Sequence, residues 1–237
     1  MKGRQFLKGL THGIPIFLGY LSVSFGFGIL AVKSGLTVTE AAAVSLFNLT
    51  SAGQAAGVGI IAANGSLTEM ILAQLTINLR YSLMSLSLSQ KLDKSFNTPR
   101  RLLVSYGITD EIFAMASAQP GTITPWYMYG MILISTVGWT LGTVLGAAAG
   151  SLLPPGISDA LGLMLYGMFL AIILPPARKE KGVLAAVLIA AAMSSIIYFL
   201  LPFISSGFSV MICGILTAVI CALLFPHDDT GPTEVRQ

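Results

Sequence analysis

Polar side chains interrupt three apolar stretches of this sequence, and the first group has the residue types of a ligand-binding break in a helix. The run from 47 to 57 contains Asn48, Thr50, Ser51 and Gln54 beside the small, flexible Gly53. Such a stretch can interrupt a helix and leave backbone amides and carbonyls free to bind a solute. Tight helix packing through Ser, Ala and Gly is the alternative interpretation.

The second group lies in the third apolar segment and contains a charged residue. Gln74 and Asn78 are one helical turn apart and share a face, with Tyr81 close to it, whereas Arg80 lies nearer the side of Thr76. A guanidinium in such a segment stays charged and needs partners. The partner is either the carboxylate of a substrate or an acidic side chain of this chain.

The third group contains two adjacent carboxylates. Gly107 can end one helix and Thr109 can cap the next, which places Asp110 and Glu111 in a first turn that favours acidic residues. In a purely structural role, one of these acids forms an ion pair with Arg80. In a functional role, one of them takes up a proton or neutralises an ammonium group, as a proton-coupled carrier requires.

Motifs for covalent catalysis, metal binding and nucleotide binding are missing from the sequence. It contains no GxSxG, HExxH or CxxC pattern, and a Gly-Lys pair, which a P-loop needs, never occurs. Cys213 and Cys221 lie in one apolar run, and His12 and His227 lie near opposite ends of the chain. We therefore predict no catalytic residues, no metal and no cofactor, and nothing indicates a nucleic-acid partner.

The composition indicates that lipid surrounds the elements that carry these groups. Of 237 residues, 54% are hydrophobic and only 10% are charged, whereas soluble domains carry about 25% charged residues. Three long runs contain no charged residue: 41–68, 126–150 and 182–226. Because backbone amides in lipid must be paired within the segment, these runs must form helices. The sequence predicts an all-α integral membrane protein with a single transmembrane transporter domain spanning 1–237.

Seven apolar segments are apparent, and Pro202 with the break at Ser205 to Gly207 divides the last into two. The eight resulting segments are 12–32, 41–63, 67–89, 102–118, 126–150, 158–175, 183–203 and 207–225. The first segment, 12–32, has basic residues before it, as a signal peptide does. Its length and the spans that follow favour a transmembrane helix that is kept in the mature protein.

The basic residues form three clusters, which the positive-inside rule places in the cytoplasm. They are Lys2, Arg4 and Lys8; Lys91, Lys94, Arg100 and Arg101; and Arg178, Lys179 and Lys181. Three segments separate each cluster from the next one along the chain. Only an even number of crossings returns the chain to the same side, so three full crossings would conflict with the rule. Either 41–63 and 102–118 are re-entrant, or the two halves form an inverted repeat and one cluster breaks the rule.

Glycines at every fourth position predict a close contact between helices. Gly142, Gly146 and Gly150 lie on one face, and small residues at this spacing let two helix backbones approach each other in lipid. The contact could be internal or could be made with a partner subunit.

Together these motifs resemble the AzlC family, the large subunit of bacterial branched-chain amino-acid exporters. The resemblance runs from about Phe6 to Phe225. It rests on the order and spacing of Gly13-Ile14-Pro15, Phe25-Gly26-Phe27-Gly28, Ser51-Ala52-Gly53-Gln54, Asn78-Leu79-Arg80-Tyr81 and Thr109-Asp110-Glu111-Ile112-Phe113. Ser51 and Tyr81 depart from the family pattern, which commonly has an aromatic residue and a histidine at these positions.

The resemblance implies an ion-gradient-driven exporter of leucine, isoleucine, valine or similar molecules. It also implies a multi-pass protein of the bacterial inner membrane with a small hydrophobic AzlD-type partner subunit, and self-association into a homo-oligomer is open as well. Two other classes remain as alternatives: a membrane scaffold or assembly subunit, and an intramembrane enzyme. The enzyme is disfavoured because Asp110 is the only aspartate in the middle of a segment.

Overall fold

A computed structural model describes residues 2–150 and 152–225, and the regular elements in this part of the chain are helices. They are α1 (Lys2–Lys33), α2 (Val38–Phe47), α3 (Ser51–Ala62), α4 (Leu67–Ser89), α5 (Thr98–Tyr106), α6 (Asp110–Ser117), α7 (Pro125–Ala149), α8 (Pro155–Gly162), α9 (Met164–Lys179), α10 (Lys181–Leu200) and α11 (Ser206–Leu224). Among the described residues, four helices are long and apolar enough to cross a membrane: α1, α7, α10 and α11.

The helix boundaries confirm some predicted segments and divide others. The segments 67–89, 126–150 and 207–225 correspond closely to α4, α7 and α11. Three others each consist of two helices: 41–63 contains α2 and α3, 102–118 contains α5 and α6, and 158–175 contains parts of α8 and α9. The predicted seven to eight helical segments and the possible inverted repeat are therefore not confirmed. The helix α4 is 23 residues long, but it contains two charged residues, Glu69 and Arg80.

The centre of the fold is a close parallel contact between α1 and α7. Gly9 lies against the backbone of Tyr127 near the start of both helices, and Gly146 lies against the backbone of Phe25 near their ends. A Cβ atom at either glycine would collide with the facing carbonyl oxygen. Gly142 also faces α1, so the predicted small-residue contact is internal to this chain.

The helices α2 and α3 form a hairpin, here named the first hairpin (residues 38–62). The chain turns at Asn48–Thr50, where the Gln54 amide donates to the carbonyls of Val44, at 3.2 Å, and of Asn48. The start of α2 and the end of α3 line one cavity of about 560 Å³, together with the residues that follow α1. The hairpin therefore begins and ends at the same end of the molecule.

The helices α5 and α6 form the second hairpin (residues 98–117), which begins and ends at the opposite end of the molecule. The Lys91 ammonium, just after α4, donates to the carbonyls of Ser117 and Gln119 at 2.5 and 2.8 Å. Leu92 forms a parallel backbone bridge with Ile123, two residues before the start of α7. The residues before and after this hairpin thus lie together, close to the starts of α1 and α7.

The tips of the two hairpins meet near the middle of the α1–α7 pair. The Tyr106 hydroxyl at the end of α5 donates to the carbonyl of Leu46 near the end of α2. The Ser45 hydroxyl lies 2.7 Å from the hydroxyl of Thr143 on α7, which holds the first hairpin against this helix. Two helix interruptions, separated by about sixty residues in the sequence, are thereby brought together.

A buried carboxylate attaches the C-terminal helices to α4. Glu69, in the first turn of α4, is 4% exposed. It accepts hydrogen bonds from the Ser205 hydroxyl at 2.5 Å and from the Gly207 backbone amide, at the start of α11, at 2.9 Å. A carboxylate between the positive ends of two helices is favourably placed, so Glu69 fixes the contact between α4 and α11.

We expect Glu69→Ala to lower the free energy of unfolding by about 2–4 kcal/mol, because hydrogen bonds to charged groups contribute about 1.5–3 kcal/mol each. Thermal unfolding in detergent measures the change. Glu40→Ala is the matched control, since Glu40 also lies in a first turn and completes a capping box with Thr37, but it is exposed. Equal losses of stability in the two variants would contradict the assignment of Glu69 to the α4–α11 contact.

Candidate functional site

The first two predicted polar groups form one hydrogen-bonded network between α3 and α4. Thr50 caps α3, and its hydroxyl accepts from the Gly53 amide at 3.0 Å and donates to the Asn78 side-chain oxygen at 2.8 Å. The Gln74 amide donates to the Gly53 carbonyl at 2.7 Å, and the Asn78 amide donates to Gln74 at 3.0 Å. The predicted shared face of Gln74 and Asn78 is confirmed, and this face is directed at the start of α3.

Gln54 and Trp139 connect the first hairpin to α7. The side chain of Gln54 is 1% exposed, and its oxygen accepts from the Trp139 indole nitrogen at 2.9 Å. The side-chain amide of Gln54 donates to the carbonyls of Val44 and Asn48 at the end of α2. Asn48 therefore takes part in this hydrogen-bond network through its backbone. The side chain of Ser51 makes no hydrogen bond within the described residues. Trp139 could not be recognised from the sequence, since a tryptophan in an apolar run gives no polar signal.

We expect Gln54→Leu to destabilise the protein by about 2–5 kcal/mol, because each buried polar group left without a partner costs about 1–3 kcal/mol. The indole of Trp139 and the backbone carbonyl of Asn48 would lose their partner, whereas the Val44 carbonyl would keep the Asn48 backbone amide. Thermal unfolding in detergent, together with Trp fluorescence, measures the effect. Gln5→Leu on the exposed start of α1 is the control. A melting temperature of Gln54→Leu equal to that of this control would contradict the assigned role.

Arg80 forms an ion pair with the first of the two adjacent acids. Its Nη2 atom lies 3.0 Å from Oδ2 of Asp110, and it also donates to the Tyr81 hydroxyl at 3.1 Å. The side chains of Arg80 and Asp110 are 39% and 25% exposed on this chain. Of the two kinds of partner considered for the guanidinium, the structure shows the acidic side chain. The Nε atom of Arg80 is buried and has no hydrogen-bond partner among the described residues.

Glu111 has different partners from its neighbour Asp110. The Tyr20 hydroxyl on α1 lies 2.6 Å from Oε2 of Glu111 and 2.6 Å from the hydroxyl of Thr109. Because a phenol has one proton, Tyr20 donates to the carboxylate while Thr109 donates to the phenol oxygen. Thr109 also caps α6 by accepting from the Ile112 amide, which confirms the predicted cap. The role of Tyr20 was not predicted, because nothing in the sequence around this tyrosine distinguishes it from others in apolar helices.

The two networks lie side by side in the middle of the molecule. The ring of Tyr20 packs edge-on against Trp139, with ring centroids 5.1 Å apart. This contact joins the amide network at the first hairpin to the acidic network at the second. The predicted groups therefore converge where the two hairpin tips meet, and together they present amides, hydroxyls, one cation and two carboxylates. In the described part of the chain, no three His, Cys, Asp or Glu side chains are grouped as metal ligands would be.

The long apolar helices and the polar centre between interrupted helices define a helical membrane protein with several spans. The chain belongs to the AzlC family: the family model described as "AzlC protein" matches residues 15–153. This range contains both hairpins and every residue of the two networks, whereas α8 to α11 lie beyond it. The resemblance inferred from the sequence is thus confirmed.

Several relatives carry names that place them in membranes. The chain is 29% identical to "Inner membrane protein YgaZ" of Escherichia coli, over 92% of this chain and 91% of the relative. It is 34% identical to an "Uncharacterized membrane protein" of Archaeoglobus fulgidus, over 78% and 82%. It is 24% identical to "Branched-chain amino acid transport protein AzlC" of Bacillus subtilis, over 74% and 69%. No solved structure matches the chain.

Proposed function

We propose that this chain is a permease that exports branched-chain or related hydrophobic amino acids across the bacterial inner membrane. The observation that carries the proposal is the meeting of two interrupted helices at a centre that contains Arg80, Asp110 and Glu111. Interrupted helices with polar groups near the membrane midplane are a recurring design of substrate sites in transporters. The name of the B. subtilis relative supports the substrate class.

In the proposed topology, both hairpins are re-entrant and do not cross the membrane. Since α1 crosses outward and α4 crosses back, the basic residues after α4 lie on the same side as those that begin α1. Lys2, Lys8 and Asp93 line one common cavity, which supports this arrangement. With α7 crossing outward and α8–α9 crossing back, the third basic cluster is cytoplasmic too. All three clusters then obey the positive-inside rule, and an inverted repeat is not needed.

In the proposed substrate complex, an amino-acid zwitterion inserts between Arg80 and Asp110. Its carboxylate pairs with the guanidinium and its ammonium pairs with Asp110, so two ion pairs replace one and each charge keeps a partner. A separate open groove of about 490 Å³ runs along the Gln74 and Asn78 face of α4 and is lined mainly by apolar side chains such as Leu75 and Leu79.

We further propose that a small hydrophobic AzlD-type membrane subunit covers α4. The Arg80 side chain is partly exposed on a helix that otherwise presents leucines outward, and a guanidinium facing hydrocarbon is costly. A protein cover removes this cost, and a second copy of this chain is the competing cover. Cysteine cross-linking from Leu75→Cys distinguishes the two, because a product with a small subunit supports the proposal and a self-linked dimer contradicts it.

Counterflow of labelled leucine in liposomes tests the permease assignment. Liposomes loaded with unlabelled leucine and containing the protein, with or without the small subunit, are expected to accumulate the label transiently. Lysine, which is charged and unbranched, is the control substrate. If none of the apolar amino acids shows counterflow in either preparation, the chain is better assigned as a scaffold subunit. Formation of a new product from any of them would instead identify an enzyme.

A further inference from the structure

A cavity of about 810 Å³ at the basic end of the molecule is lined by three cations. The start of α1 contributes Lys2, Arg4 and Lys8 to its wall. The start of α7 contributes Trp126, and the loop after α4 contributes Asp93, the acidic residue of the lining. In the described part of the chain, none of the three cations forms an ion pair. Three positive charges therefore face one negative charge across this space, which we name the basic cavity.

The neighbouring basic residues differ from these three because they bind protein groups. The Lys91 ammonium donates to carbonyls at and just after the end of α6, and the Arg100 guanidinium donates to the carbonyl of Ser95. The carboxylate of Asp93 is also engaged, since its Oδ1 atom accepts from the Ser95 backbone amide at 3.0 Å and from the Ser95 hydroxyl at 2.6 Å. The cations of α1 therefore remain available to an anion from outside the chain.

The contact between α1 and α7 places the basic cavity at the depth of the lipid headgroups. Gly9 lies against the backbone of Tyr127, so Lys8 is level with Trp126, where the charge-free run of α7 begins. Tryptophan and tyrosine are enriched at the boundary between membrane and water. The Lys2 ammonium lies 5.6 Å from the centroid of the Trp126 ring, and the Lys8 ammonium lies 5.8 Å from that of Tyr127. These contacts hold two ammonium groups beside the aromatic residues of this boundary.

An apolar stripe continues from the cations along α1 into the hydrocarbon. Leu7, Ile14 and Leu18 are exposed. Their spacing of seven and four residues puts them on one face of the helix, and Arg4 lies one turn before Leu7 on the same face. A ligand with a phosphate group and acyl chains would contact the cavity and the stripe together. A small anion would contact the cavity alone.

We propose that the basic cavity binds the phosphate headgroup of an anionic glycerophospholipid, with an acyl chain along the stripe of Leu7, Ile14 and Leu18. A phosphodiester carries one negative charge and accepts charge-assisted hydrogen bonds from ammonium and guanidinium groups. Basic pockets beside transmembrane helices are a recurring form of headgroup site. The lipid neutralises part of the excess positive charge of the lining. This binding does not depend on the assignment of the protein as a permease.

Fluorescence quenching in the reconstituted full-length protein tests the proposal, because the chain has two tryptophans and Trp139 is buried. In mixed bilayers, phosphatidylglycerol or phosphatidylcholine is brominated in turn near the headgroup end of its acyl chains, and bromine quenches an indole that the lipid contacts. Wild type is expected to bind phosphatidylglycerol about 5- to 25-fold more tightly, since each basic residue at an anionic lipid contributes a factor of about five. Arg4→Gln combined with Lys8→Gln is expected to bind the two lipids almost equally.

Arg101→Gln combined with Lys181→Gln is the matched control. It removes the same two residue types from exposed positions outside the cavity, so it is expected to keep the preference of wild type. Trp126→Phe is expected to abolish the quenching that depends on phosphatidylglycerol. Three results overturn the proposal: no preference in wild type, equal loss of the preference in the two double variants, and retained quenching in Trp126→Phe. Thermal unfolding in detergent verifies that each variant is folded.

Inorganic phosphate distinguishes a lipid from a free anion of the same chemistry. It is added at increasing concentration to wild type in bilayers with brominated phosphatidylglycerol, and sodium chloride of equal ionic strength is the reference, because salt screens both kinds of contact. If the acyl chain holds the lipid in place, phosphate and chloride are expected to reduce the quenching equally. Stronger displacement by phosphate would assign the basic cavity to free phosphate and would overturn the lipid assignment.

Discussion

Leucine counterflow is expected to fall by about 10- to 100-fold in Arg80→Gln, since hydrogen bonds to charged groups contribute about 1.5–3 kcal/mol. The guanidinium is the cation of the polar centre, where it pairs with Asp110 and binds the Tyr81 hydroxyl. Glutamine offers neither the charge nor the planar, two-pronged donor geometry. The readout is the initial rate of counterflow in liposomes containing equal amounts of folded protein.

A double variant separates a role in transport from a role in structure. If the ion pair only holds α4 to α6, then Arg80→Gln combined with Asp110→Asn replaces it by a neutral pair and restores both folding and counterflow. If Arg80 binds substrate, the double variant regains thermal stability but stays inactive, which is the result we expect. Arg101→Gln at the exposed start of α5 controls for the loss of a positive charge. Restored counterflow in the double variant refutes the substrate role.

The second large effect is expected on stability, at the glycines between α1 and α7. Gly9→Ala and Gly146→Ala each place a methyl group against a facing backbone carbonyl, which no rotamer change can relieve. Overpacking of this kind costs about 1–3 kcal/mol per site. Because the two positions lie near opposite ends of the contact, their effects should add, and the double variant should lose roughly 2–6 kcal/mol. Thermal unfolding in detergent provides the measurement.

Gly19→Ala is the matched control for both variants. A Cβ atom at Gly19 meets nothing within 4 Å, although this glycine lies on the same helix. Alanine favours a helix over glycine by roughly 0.5–1 kcal/mol, so this change should leave the protein as stable as wild type or slightly more stable. If all three glycines tolerate alanine equally, α1 and α7 are not in backbone contact as described.

Local features of the fold could be predicted from the sequence because they have local causes. The ends of α4, α7 and α11 follow from the limits of apolar runs, and the interruption before α6 follows from Gly107 and the capping residue Thr109. The glycines on α7 show their role through their spacing alone. The ion pair between Arg80 and Asp110 could also be anticipated, since a charge in an apolar segment requires a partner and few are available.

Partners that are distant in sequence could not be predicted, because no local pattern marks them. Gln54 and Trp139 are 85 positions apart, and Tyr20 is 91 positions from Glu111. Tyrosine and tryptophan are ordinary residues of apolar helices, so their hydrogen bonds become evident only once the helices are packed. Glu69 was missed for a similar reason, because its position in a first turn is fully explained by local capping.

The contact between α1 and α7 also restricts how the protein can change shape. Backbones that touch without intervening side chains cannot slide past each other by a fraction of a helical turn, since each facing carbonyl would meet the next obstruction. These two helices therefore form a rigid pair, and a change of shape must come from the helices packed around them. In the proposed permease, opening of the polar centre to either face of the bilayer would therefore depend on movement of α4 and the two hairpins, whose side-chain contacts with this helix pair can rearrange by changes of rotamer.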